Sequence, residues 1–247
     1  MIRKLFSSGH SQIGGGARKR DFEIQRIETF SDGVFAFAVT LLIVSLEVPK
    51  SFEDLLISMR GFFAFGISFA ILVSIWTEQH RFFRNYGMED GLTIFLNAAL
   101  LFIVLFYTYP LKFLFTLIFS DQIYGSHHSP LKITEHQVPI LMIIYALGFI
   151  AIYTLFFLMY FSVYKKSRRL GFTPLEIFDC KSNMFKEIIM ISTGLCSLLF
   201  ALLLTDRDAG ISSMIYMLLL PTITIFYTIR KRTRSKLFPQ VSDEGKK

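Results

Sequence analysis

The amino-acid sequence predicts an all-α integral membrane protein with six transmembrane helices. The chain has 247 residues, 53% of them hydrophobic, and its mean hydropathy of +0.50 exceeds that of ordinary soluble domains. Its apolar residues form long continuous runs, whereas the strands of a membrane β-barrel read as short alternating segments. Because helices satisfy their own backbone hydrogen bonds in lipid, each long run is predicted to be one helical span.

Six apolar runs follow one another along the chain. They cover residues 26–49, 55–76, 92–119, 138–164, 188–204 and 211–229. Pro110 is expected to kink or divide the third run, and Pro221 to kink the sixth. We find no internal repeat, so the chain is predicted to hold one six-helix transmembrane domain over residues 26–230. A basic, mobile cytoplasmic tail is predicted over residues 1–25, and a second basic cytoplasmic tail over 231–247.

The basic residues predict the orientation of this domain in the membrane. Most of the 26 Lys and Arg residues lie in the two tails and in the segments after the second and fourth runs. Basic segments of membrane proteins stay in the cytoplasm, so both termini are predicted to be cytoplasmic. The net charge of +7 is thus a feature of topology. No segment outside the membrane is large enough to form a basic domain that binds nucleic acid.

The first apolar run differs from the others because it opens with the polar residues Ser31 and Asp32. It is long enough to cross a bilayer only if these residues are included. A carboxylate at the membrane edge must face protein or water, since lipid offers it no partner. The first helix is therefore predicted to be an inner helix. Asn97, near the start of the third run, also needs a partner on another helix.

Two other interpretations of these polar residues remain open. Ser31 or Asp32 could simply cap a helix, with Arg26 in an ordinary ion pair. Trp76 could be an interfacial residue of the aromatic belt, and His80 lies one helical turn after it on the same face.

Motifs for enzymatic chemistry are absent from the sequence. It contains no HExxH, GxSxG or GxxxxGK[ST], so no enzyme and no cofactor are predicted. His127, His128 and His136 have neither Cys partners nor a regular ligand spacing, so a solvated loop is expected there and no metal site. The potassium-channel filter sequence TVGYG is also absent.

The sequence from Arg26 to the end of the first apolar run resembles a family signature. Arg26-x-x-x-Phe30-Ser31-Asp32-Gly33 followed by VFAFAVTLLI is similar to the motif of the transmembrane protein 175 family, which comprises potassium channels of endolysosomes and bacteria. A chain with one six-helix repeat resembles the bacterial form. The resemblance implies a homotetramer in the bacterial plasma membrane, with potassium as the permeant ion and no cofactor.

The same resemblance implies roles for particular residues. A structural polar network that ties the first three helices together would comprise Arg26, Phe30, Ser31, Asp32, Trp76, His80 and Asn97. The first helix would line the pore, and a hydrophobic constriction would be formed by Phe37, Thr40, Leu41 and Val44. Their spacing is also that of an ordinary core or lipid-facing stripe. The family usually has an aliphatic residue where this chain has Phe37, which leaves open whether a closed or an open state dominates.

A hydrophobic constriction predicts modest selectivity for potassium over sodium. A narrow apolar neck excludes water and offers no replacement for the hydration shell of an ion. Potassium gives up water more readily than sodium, and the Thr40 hydroxyls could supply replacement oxygens. The main alternative is a small secondary transporter with Asp32 as an ion- or proton-coupled site, although no paired repeats are found. A structural membrane protein without conduction is a third interpretation.

Overall fold

A computed structural model describes residues 26–44, 50–120, 123, 134, 136–204 and 209–238, which contain six α-helices and no β-strand. The predicted tail 1–25 lies outside the described residues. The helices are α1 (Arg26–Val44), α2 (Phe52–Tyr86), α3 (Gly91–Ile118), α4 (Gln137–Lys166), α5 (Pro174–Leu203) and α6 (Leu219–Leu237). A 3-10 helix, Ala209–Leu218, precedes α6.

Four of these helices, α2 to α5, are long and apolar enough to cross a membrane. Helices α1 and α6 have 19 residues each and carry charged residues at one end. The all-α membrane fold predicted from the sequence is therefore confirmed, with four helices that meet the length and composition of a span.

Helices α2 and α5 extend well beyond their predicted apolar runs. α2 starts at a capping box between Ser51 and Asp54 and ends at Gly87, whose φ of 53° is left-handed. α5 starts at a second capping box, between Thr173 and Glu176, with Pro174 in its first turn. Hydropathy alone missed these extensions because charged side chains alternate there with buried apolar ones.

The two prolines differ in their effect. α3 is continuous through Pro110, so the expectation that it divides the third run is wrong. Pro221 lies in the first turn of α6, directly after the 3-10 helix. The sixth apolar run is instead split between the 3-10 helix and α6. α6 then continues into the basic segment, as far as Leu237.

Polar contacts place both ends of the described chain at one end of the bundle, which we call the basic end. The start of α1 meets the start of α3, where Asn97 donates to Ser31. The start of α3 meets the end of α4 through Asp90 and Lys166, 2.7 Å apart. The start of α5 meets the end of α6 through Asp179 and Arg230, 3.0 Å apart.

Partial burial opposes ionisation of Asp90, but hydrogen bonds from Lys166 and Thr93 outweigh it and hold the pKa of Asp90 below its ordinary value.

The packing of α3 against α4 requires a glycine. The Tyr107 ring lies over Gly148, where an added Cβ would be 2.4 Å from two ring carbons. The Tyr107 hydroxyl donates to the Tyr145 carbonyl at 3.1 Å. The Tyr145 hydroxyl donates in turn to the Pro110 carbonyl at 2.6 Å. These contacts fix α3, and α1 packs against α3 and α2.

A charged cluster is buried where α2, α4 and α5 meet near the basic end. Lys186 Nζ lies 2.6 Å from Glu78 Oε2 and 2.9 Å from Glu187 Oε1. The Tyr160 hydroxyl donates to Glu78 Oε1 at 2.6 Å. Glu187 is completely buried. One ammonium group therefore pairs with two carboxylates that are largely removed from water.

We predict that Lys186→Met strongly destabilises the bundle. Without the ammonium, Glu78 and Glu187 are left as neighbouring carboxylates, and breaking a buried ion pair on one side costs about 3–5 kcal/mol. The free energy of unfolding in detergent micelles measures the effect. Lys181→Met, which removes an exposed lysine of the same helix, is the control and should change it little. Equal losses in the two variants would contradict the structural role of the cluster.

Candidate functional site

Helix α1 has one buried and one exposed face. The buried face comprises Glu28, Ser31, Phe35, Ala38 and Leu42, spaced three and four residues apart as on one side of a helix. The opposite face carries Phe30, Phe37, Thr40 and Ile43. The exposed fractions of Phe30 and Phe37 are 64% and 56%. Helices α2 and α3 thus cover only one side of α1 within a single chain.

The buried face begins with a chain of hydrogen bonds through three helices. Asn97 Nδ2 donates to Ser31 Oγ at 2.9 Å, and Gln79 Nε2 donates to Asn97 Oδ1 at 3.1 Å. The Ser31 hydroxyl itself donates to the Ile27 carbonyl at 2.7 Å. Ser31, Gln79 and Asn97 are all buried. Because buried polar groups without partners are costly, these bonds fix how α1 sits on α2 and α3.

A second contact holds the adjacent edge of α1. The Trp76 indole N–H donates to Asp32 Oδ1 at 2.7 Å, and the Trp76 ring stacks on His80 with centroids 5.4 Å apart. Asp32 therefore accepts from a side chain of α2 although it lies on the exposed side of α1. The stack on His80, one helical turn further along α2, also fixes the position of the Trp76 indole.

The structure brings together most, but not all, of the residues expected in the polar network. Ser31 is paired with Asn97, Asp32 with Trp76, and His80 with Trp76 through ring stacking. Arg26 is exposed at the start of α1 and has no side-chain hydrogen bond or ion pair to the described residues. Phe30 lies on the exposed face and outside the network.

Gln79 belongs to this network although the sequence analysis did not single it out. It supplies the donor that the Asn97 carbonyl oxygen requires. The sequence could have indicated such a partner, because an amide such as Asn97 has both donors and an acceptor to satisfy. A second amide on a neighbouring helix at the same depth was the natural complement.

The residues expected at a constriction lie on or beside the exposed face of α1. Phe37 and Thr40 are exposed and Leu41 is half-buried. Val44 ends the helix, and its side chain lies outside the described part of the structure. The Thr40 hydroxyl donates to the Phe37 carbonyl at 2.7 Å. Its hydrogen is therefore engaged, which leaves the oxygen lone pairs free to accept from, or coordinate, a group outside the helix.

The three histidines considered for a metal site are only partly described. His136 is exposed just before α4, and His127 and His128 lie outside the described residues. No cluster of three or more His, Cys, Asp or Glu side chains suited to a metal occurs in the described part of the chain. Cys180 and Cys196 are free thiols, the first buried and the second exposed.

We predict that the Ser31 and Asn97 side chains are energetically coupled. Ser31→Ala and Asn97→Ala should each destabilise the protein, and the double variant should fall short of their sum by about 1 kcal/mol, because each single change already breaks their shared hydrogen bond. Unfolding in detergent measures the coupling. Ser182→Ala combined with Asn97→Ala is the matched control, since Ser182 bonds within its own helix; additive effects in both pairs would contradict the network.

Comparison with known proteins places the chain among potassium channels. Residues 26–107 match the family model described as the endosomal/lysosomal potassium channel TMEM175. The chain is 40% identical over 223 residues to a potassium channel of Marivirga tractuosa, which covers 86% of this chain and 90% of that protein. It is 36% identical over 96 residues to a potassium channel of Chamaesiphon minutus, which covers 36% of this chain and 47% of that protein.

Solved structures agree with these matches. The crystal structure of a variant of the potassium channel MtTMEM175, in complex with a nanobody fusion protein, superposes with a TM-score of 0.76 at 37% identity, covering 89% of this chain and 99% of that chain. A TMEM175 homologue from Chamaesiphon minutus, at 22% identity and a TM-score of 0.55, shares the fold over 83% of this chain and 96% of that chain. With one relative 40% identical over nearly its whole length, the chain belongs to the TMEM175 family.

Proposed function

We propose that this protein is a passive potassium channel of the bacterial cell membrane, in which four copies of the chain assemble around a pore lined by α1. Its permeant ion is potassium, it requires no cofactor, and both termini face the cytoplasm. Membership of a family whose relatives are named potassium channels supports the function. The assignment of the pore to α1 rests on one observation, the exposed face of this helix.

This face is unsuited to lipid. The Asp32 carboxylate lies at its edge, where it accepts from the Trp76 indole, and the Thr40 oxygen lies further along; a charged carboxylate in particular is costly against lipid. Helices α2 and α3 already occupy the opposite side of α1. The exposed face is therefore available to water or to further copies of α1, and cyclic assembly of identical chains is the common way to enclose a central path.

The proposed constriction combines an apolar ring with a ring of oxygens. Four Phe37 side chains would form the narrowest apolar neck, which excludes water when it is closed. The Thr40 oxygens, whose hydrogens are donated to the Phe37 carbonyls, would use their lone pairs to replace part of the hydration shell just beside the neck. Leu41 and Val44 would continue the neck toward the other end. Partial dehydration favours potassium over sodium, so the expected selectivity is modest.

The polar network is proposed to support this pore rather than to contact ions. Ser31 faces α3 and is buried, and Asp32 is engaged by Trp76. Arg26 lies at the exposed start of α1, next to these residues and at the basic end of the bundle. The alternative of a secondary transporter that uses Asp32 finds no support in the relatives, which are named as channels.

Recording from purified protein in planar bilayers tests the function. Under opposed potassium and sodium gradients we expect single-channel currents whose reversal potential is shifted toward the equilibrium potential of potassium. Saturable, proton-coupled flux far below channel rates would instead identify a transporter. If folded protein in the bilayer gave no current, a structural role without conduction would remain as the interpretation.

We predict a fourfold homo-oligomer. The pore requires several copies of α1, because the described part of a single chain leaves that helix uncovered on one side. Native mass spectrometry from lipid nanodiscs should give four times the 28.5 kDa of one chain. A monomer that conducts as well as the reconstituted wild type would refute the assembly.

We predict that Phe37→Ala enlarges the currents and weakens the preference for potassium. Removing four rings from the neck lets water enter, so the hydrophobic barrier falls and ions cross with more of their hydration shell. Single-channel conductance should rise and the potassium-to-sodium permeability ratio should fall toward one.

Phe35→Ala is the matched control for this change. Phe35 is the same residue type two positions away, but it is only 5% exposed on the face that packs on α2 and α3. Its truncation should cost about 3–5 kcal/mol of stability without opening the neck. Larger currents in Phe35→Ala with unchanged currents in Phe37→Ala would show that the pore face is wrongly assigned.

A further inference from the structure

At the basic end of the bundle, α4 and α5 carry two lysines that rest on aromatic rings. Lys165, in the last turn of α4, places its ammonium group 4.8 Å from the centroid of the Phe161 ring. Lys181 of α5 places its ammonium group 5.3 Å from the centroid of the Tyr164 ring of α4. Because Phe161 and Tyr164 are three residues apart, they occupy neighbouring positions on the surface of α4. The two ammonium groups therefore lie close together where α4 and α5 meet.

These two lysines are exposed, and neither forms an ion pair with a residue that the structure describes. A third exposed cation, Arg168, lies in the turn directly after α4. Asp179, two residues before Lys181 on α5, is already paired with Arg230 and Arg234 of α6. A lysine ammonium carries three N–H donors. The cluster is therefore available to an anion from outside the protein.

The same surface becomes apolar and aromatic within one helical turn toward the middle of the bundle. On α4, the rings of Phe157 and Phe161 stack with their centroids 6.0 Å apart, two turns and one turn before the lysine of that helix. On α5, Phe185 and Ile188 follow the lysine at helical spacing and are 61% and 42% exposed. Both helices are long and apolar enough to cross a membrane. Exposed apolar side chains of such helices face the acyl chains of lipid.

We propose that Lys165, Arg168 and Lys181 bind the headgroup of an anionic phospholipid such as phosphatidylglycerol. The phosphate accepts hydrogen bonds from the cations, and the acyl chains lie along the aromatic surface next to them. Basic clusters directly beside a membrane-spanning helix attract anionic lipid, and in this cluster the rings hold the two ammonium groups in place. The inference goes beyond the proposed function and does not depend on α1 lining a pore.

A phospholipid fits this surface better than a soluble anion does. A soluble anion requires only the cations, whereas here apolar rings continue directly from the cations into the span. Positive charge that only sets the topology requires no such surface either. Lys231 and Lys236 of α6 are exposed at the same end of the bundle and rest on no ring that the structure describes. The two pairs of lysines can therefore be compared directly.

Native mass spectrometry of the purified protein in detergent measures the lipid that stays bound. We expect the wild type to retain phosphatidylglycerol in preference to phosphatidylcholine with the same acyl chains. Lys165→Gln combined with Lys181→Gln should weaken the binding of phosphatidylglycerol about tenfold or more, the size expected when two basic residues next to anionic lipid are removed. Lys165→Arg combined with Lys181→Arg keeps both charges and should retain the binding.

Lys231→Gln combined with Lys236→Gln is the matched control, because it removes two exposed lysines from the same end of the bundle. It should change the binding of phosphatidylglycerol little. An equal loss in the two double variants would overturn the site in favour of a diffuse basic surface. Wild-type binding in the variant that lacks Lys165 and Lys181 would also overturn it.

Glycerol phosphate, the headgroup without acyl chains, tests the source of the phosphate. Added in excess, it should not displace the bound lipid, and displacement would show that the site takes a soluble anion instead. Equal retention of phosphatidylcholine and phosphatidylglycerol by the wild type would show that the charge of the headgroup is not recognised, which overturns the inference. Should the double variant not fold, Lys165→Gln and Lys181→Gln alone should each weaken binding severalfold. Wild-type affinity in both single variants would overturn the inference.

Discussion

The constraint on which the structure depends is that polar groups within an apolar bundle must find their partners in protein. Helix α1 carries Ser31 at its start, where Asn97 of α3 donates to it, and Lys112 of α3 donates to the Leu42 carbonyl further along α1. Apolar packing could hold α1 in several registers of similar energy. The hydrogen bonds allow only one register, because a shift of one residue would bury unpaired donors and acceptors. The register of α1, and with it the face that carries Phe37, follows from them.

The same constraint operates where α2, α4 and α5 meet. Lys186, Glu78, Glu187 and Tyr160 form a cluster whose members come from three helices. Buried ion pairs add little net stability when compared with apolar packing, but they penalise any arrangement that separates them. Glu78 lies one residue from Gln79, which belongs to the network beneath α1. α2 therefore links α1 on one of its sides to the α4–α5 pair on another.

Much of this architecture was predictable from the sequence, for identifiable reasons. Long apolar runs predict spans because lipid cannot hydrogen-bond a bare backbone, and Asp32 and Asn97 had to find partners. The extension of α2 past Trp76 was not predictable from hydropathy, since Glu78 and Arg81 interrupt the apolar pattern while Phe82 and Phe83 remain buried. Lys112 lies inside the third apolar run, but nothing along the chain indicates that its acceptor is a backbone carbonyl seventy residues earlier. Partners of that kind depend on how helices cross.

Helix α6 contributes no buried side chain and is tied to the bundle by Arg230 and Arg234 at Asp179 and by the contact of Phe238 with the Phe178 ring. Among the described elements α6 packs only on α5 and the 3-10 helix, and neither of these packs on α1. A fluorescent protein or an affinity handle fused after the last residue would thus be joined to a helix that does not pack on α1, which makes the carboxyl terminus the suitable place for a reporter of protein number in living cells.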